Sequence, residues 1–91
     1  MTAKPANPFE GGLTDDEVKI LAVFFIVERP THANIRGCTG FNEIRARGPL
    51  NSTIRRGLVH RRERHFELTN RAAVVTWLRA NRPNLLPKNG R

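Results

Sequence analysis

The first strong pattern runs from Leu13 to Val27. Polar Thr14-Asp15-Asp16-Glu17 leads into an apolar block, Ile20-Leu21-Ala22-Val23-Phe24-Phe25-Ile26-Val27. Thr14 and Glu17 stand at capping-box spacing with Leu13 and Val18 at the staple positions, which predicts a helix beginning near Asp15. Three acids in its first turn suit the positive end of the helix dipole. The block is apolar on all faces, more than a one-sided surface helix needs. It reads as a buried helix whose outer face a second subunit covers. A central strand competes, because β-branched and aromatic residues dominate, but the cap favours helix. Pro30 is expected to end the element.

Thr31 predicts an N-cap for a second helix, about His32 to Gly37, with Ala33 and Ile35 inward. Gly37 to Gly40 reads as a turn in which Gly40 takes positive φ. Phe41 is an apolar plug, and Asn42 caps a third helix over 42–56. On that helix Ala46, Leu50, Thr53 and Ile54 form one stripe, with Phe41 and Ile44 near it. Arg45, Ser52 and Arg55 lie opposite, flanked by Arg47, Asn51 and Arg56. Gly48-Pro49 is expected to break the helix, since proline removes a backbone donor.

Gly57-Leu58-Val59 then opens a strand that continues through Arg62. A tight turn at Arg62–Arg64 returns the chain through His65 to Leu68, with Leu58, Phe66 and Leu68 inward. Thr69 or Asn70 caps a last helix, Arg71 to Ala80, packing through Ala72, Val75, Leu78 and Trp77. The expected class is mainly α with a small β-hairpin. Residues 1–12, rich in Pro, Asn and Gly, read as a flexible arm, 13–82 as the domain and 83–91 as a flexible basic tail.

Length and charge narrow the function. The 91 residues allow one domain, with formal charge +8. Residues 1–28 set Lys4 and Lys19 against Glu10, Asp15, Asp16, Glu17 and Glu28, a net −3, so 29–91 carry +11. Such a directed field suits a nucleic-acid partner. Cys38 is the lone cysteine, which leaves no intrachain disulfide, and His32, His60 and His65 lack metal-ligand spacing with it. No apolar leader is visible, and the run Ile20–Val27 is too short to span a membrane. A cytoplasmic protein is expected, with no catalytic constellation, no cofactor and no metal.

Three stretches carry a resemblance: LTDDEVKIL, IRGCTGF, and IRRGLVHR followed by FELT. In this order, over about residues 13–80, they resemble the winged helix-turn-helix domain of bacterial, archaeal and phage transcription regulators. The chain departs from that pattern at Gly48-Pro49 and in its short hairpin. The resemblance implies a nucleoid-associated regulator of double-stranded DNA, paired as a homodimer through helix 1 and the C-terminal helix. Helix 42–56 would enter the major groove, with Arg45, Arg47, Asn51, Ser52, Arg55 and Arg56 toward base edges. The wing, 60–66, would hold the backbone through Arg61, Arg62, Arg64 and His65. Thr31 and His32, at a helix start, could donate to phosphate, the alternative for His32 being a plain surface residue. A protein-binding winged helix that modulates a polymerase, or an RNA-binding one, are the alternative expectations.

Overall fold

Polar side chains close the N-terminus of each helix in a computed structural model of the chain, which describes residues 7–85. Helix α1 spans Asp15–Val23, α2 His32–Thr39, α3 Glu43–Arg55 and α4 Arg71–Asn81. Strands β1 (Val59–Arg61) and β2 (Phe66–Leu68) separate α3 from α4. The protein is thus mainly helical with one small antiparallel sheet, paired Val59 with Leu68, His60 with Glu67 and Arg61 with Phe66. Thr14, Thr31, Asn42 and Asn70 each accept an amide from the first turn that follows, satisfying a donor the helix leaves orphaned. Among the described residues no helix is long and apolar enough to cross a membrane.

Helix α1 stops well short of Pro30. Phe24, Phe25 and Ile26 bond back three residues, in a tightening turn, to Leu21, Ala22 and Val23. Leaving the helix there lets Pro30 reach the hairpin, where its carbonyl accepts the Phe66 amide at 2.9 Å. The apolar block therefore needs no second subunit to bury most of it. Val18, Ile20, Leu21, Val23 and Phe24 lie in the core of this one chain, and Ile26 stays 70% exposed.

Ile35, Phe41, Ala46, Leu50, Leu58, Val59 and Phe66 complete that core with Val74 and Leu78 of α4. Fully burying each of these side chains other than Ala46 contributes roughly 1.5–3 kcal/mol before entropy is charged. Three expected inward positions are corrected: Ala33 and Ala72 are exposed, and Ile44 is 80% exposed. Val74, not Ala72, anchors α4, while Val75 and Trp77 are half-buried.

The expected break at Gly48 does not occur. Helix α3 is continuous through Pro49, whose ring removes only one backbone donor. Proline clashes with the Cβ of the residue before it, and Gly48 has none. Buried Ala46, Leu50 and Thr53 hold both halves of the helix on one surface. Gly57, at φ +81, then ends it. Its amide bonds to Ile54 at 2.9 Å and that of Leu58 to Thr53 at 3.0 Å, the paired closure that a left-handed glycine permits.

Residues 7–12 turn back on the domain, and Phe9 stacks on Trp77 at 5.5 Å between centroids. After α4, Pro83–Leu85 form one 3-10 turn. The remainder of the expected arm, 1–6, and of the tail, 86–91, lies outside the described residues.

Candidate nucleic-acid interface

Helical spacing gives α3 three sides. Its inner side is the buried stripe. A second side faces α1, where the acids of the first helix meet it. Arg45 donates to Asp16 at 3.1 Å and lies 4.2 Å from the Phe41 ring centroid. Ser52 donates to Glu17. Arg56 donates to Glu17 at 3.2 Å and to the carbonyls of Pro8, Glu10 and Gly12 at 2.9, 3.0 and 2.9 Å. Three of the residues expected to face bases are thus engaged within the molecule.

Glu17 is the centre of this side. It is the one buried charged residue among those described, and its Oε1 also accepts the Thr14 amide at 2.8 Å. Burial pushes its carboxyl up, but the Ser52 hydroxyl, the Thr14 backbone and the Arg56 charge outweigh that and hold it below its ordinary value.

The third side faces solvent and carries Ile44, Gly48, Asn51 and Arg55, with Arg47 on its flank; all five are exposed. Arg47 makes one loose contact, 3.5 Å to Glu43, between side chains more than half exposed, a pair that contributes little. No carboxylate among the described residues pairs with Arg36, Arg55, Arg61 or Arg64.

Two clefts extend this side. One, between α2 and α3, brings His32 and Arg36 beside Arg47 and Asn51. The other, about 500 Å³, joins the end of α3 to β1 and puts Arg55, His60 and Arg61 on one wall system. Arg36 was not singled out from the sequence. Its signal was the four-residue step from His32, which places both on one face of α2.

The hairpin splits its cations. Glu67 gathers His65 at 2.9 Å, Arg62 at 3.1 Å and His60 at 3.1 Å. Arg61 lies over the Phe66 ring, 5.7 Å from its centroid, while Arg64 sits exposed in the turn. The His32 and Phe66 rings meet in a T-shaped contact, 5.0 Å between centroids, tying α2 to β2. Two strands of three residues are marginal alone, so these ties matter.

The hydrogen bonds from His65 and Arg62, then that from His60, hold the Glu67 carboxyl at about 2, against an ordinary 4.5. A lowered carboxyl stabilises the fold fully above its unfolded value and loses that contribution as pH falls through the folded one. Acid is therefore expected to loosen the hairpin between pH about 4.5 and about 2. Thermal unfolding across that window checks this: Glu67→Gln should lose part of the acid dependence, the remainder coming from Glu17, whose carboxyl is also lowered. A variant whose midpoint falls with pH as steeply as the parent's would contradict it.

Comparison of the chain with protein families, with curated proteins and with solved structures finds no match.

Proposed function

We propose that this chain is a sequence-specific double-stranded DNA-binding regulator of transcription, of the winged helix-turn-helix kind. Helix α3 enters the major groove and the β1–β2 hairpin lies as a wing on the backbone. The observation that carries this reading is the segregation of charge around α3. The acids of α1 neutralise only the side that faces them, and the outer side keeps its cations and continues into Arg61. Thirteen residues make a rod about 20 Å long, and the major groove, about 12 Å wide, admits such a helix.

The roles expected from sequence then divide. Arg47, Asn51 and Arg55 read, because a guanidinium can meet guanine O6 and N7 together and a carboxamide can meet adenine. Arg45, Ser52 and Arg56 instead fix the angle at which α3 leaves the body. Arg61 and Arg64 neutralise phosphates, joined by Arg36 on the other flank; Arg62 and His65 are steadied by Glu67. With the apolar block of α1 largely buried in its own chain, the homodimer loses its sequence motive, and the proposed unit is one chain on one duplex segment. Equilibrium competition among duplex DNA, duplex RNA and single strands tests the reading. Preference for duplex DNA supports it; preference for RNA, or no nucleic-acid binding together with capture of an acidic protein, refutes it.

A further inference from the structure

The solvent side of α3 carries a group that phosphate binding does not explain. Ile44, the second residue of the helix, is 80% exposed in the midst of basic and polar side chains. It heads a straight row at helical spacing: Ile44, Gly48, Asn51, Arg55. Gly48 in this row carries no side chain, which spares the clash before Pro49, and apart from its chain neighbours a Cβ built there would meet nothing within 4 Å, so this stretch of the face is bare. The helix backbone is therefore open to close approach between Ile44 and Asn51.

Resting on the DNA-binding reading above, we infer that Ile44 reads the 5-methyl group of a thymine, so that the preferred duplex carries a thymine contacted through its methyl. The apolar feature that distinguishes bases in the major groove is that methyl group; the remaining edges are donors and acceptors. A recognition helix brings its N-terminal residues to base edges, and Ile44 occupies that end of α3. The same row then offers an apolar contact, a carboxamide and a guanidinium in succession, which is the chemistry of a site mixing A·T and G·C pairs. An anionic partner is fitted by the flanking Arg47 and Arg55, and a methyl on that partner by Ile44.

The test uses the full chain and a duplex it selects from a random pool. Each thymidine is replaced, one at a time, by deoxyuridine, which removes the methyl and leaves every hydrogen-bonding group. At one position the parent should lose about fourfold in affinity, the equivalent of about 0.8 kcal/mol for one buried methyl-sized group. Ile44→Ala, whose side chain supports no packing, should unfold at an unchanged temperature and bind the two duplexes alike. Indifference of the parent to every such replacement overturns the inference. So does an Ile44→Ala variant that keeps the preference. Failure of the parent to bind any duplex overturns the DNA reading itself, and this inference with it.

Discussion

Glu17→Ala is expected to destabilise the fold by about 3 kcal/mol, because it deletes one partner of a buried pair. The Glu17 side chain is only 4% exposed and joins the start of α1, the end of α3 and, through Arg56, the turn at residues 7–12. Its loss leaves the Arg56 guanidinium, itself 25% exposed, without its counter-charge and the Ser52 hydroxyl without an acceptor. The lower end of the usual range applies since Arg56 reaches water. Ser52→Ala, which removes one neutral donor to a charged group, should cost less, about 1.5 kcal/mol. Urea unfolding with unchanged slope measures both. A Glu17→Ala loss smaller than that of Ser52→Ala would mean the carboxylate is not the joint between the two helices.

The second large effect concerns binding. Arg55→Ala is expected to cost about 1–3 kcal/mol on the preferred duplex and to relax preference at one base position. Arg64→Ala should instead weaken all duplexes alike and reduce the salt slope by about one. Arg56→Ala should act on folding, because its guanidinium is committed to Glu17 and three carbonyls. Affinities of the three variants for the selected and a scrambled duplex, over a range of salt, separate these roles. If Arg55→Ala weakened both duplexes equally while Arg64→Ala changed their ratio, reader and holder would be interchanged.

Local chemistry made most of the element order legible. The caps Thr14, Thr31 and Asn42, the turn at Gly40 and the strand phasing around Phe66 are short-range facts, written within a few residues of where they act. Two local readings failed because the deciding partner is remote. Helix α1 looked apolar throughout, but the chain leaves it at Val23 so that Pro30 can meet Phe66, thirty-six positions on. Gly48-Pro49 looked like a break, yet the buried stripe on either side keeps α3 whole.

The candidate site divides in the same way. That α3 is basic could be read directly. Which of its arginines remain available could not, because Arg45 and Arg56 are claimed by acids of α1 twenty-nine and thirty-nine positions away. Glu17 read as a cap and nothing more, since its second role needs α3 beside it. Glu67 read as one polar residue of a strand, although it collects three hairpin side chains.

The proposed surface for duplex DNA is the solvent side of α3 with the adjoining hairpin. Competition at moderate salt between a selected DNA duplex, an RNA duplex of the same sequence and the separated strands tests it most directly. A-form RNA buries its major groove too deeply for a helix to enter. The DNA duplex should displace the others and be displaced by neither. Equal or tighter binding of the RNA duplex, or of the single strands, would contradict it.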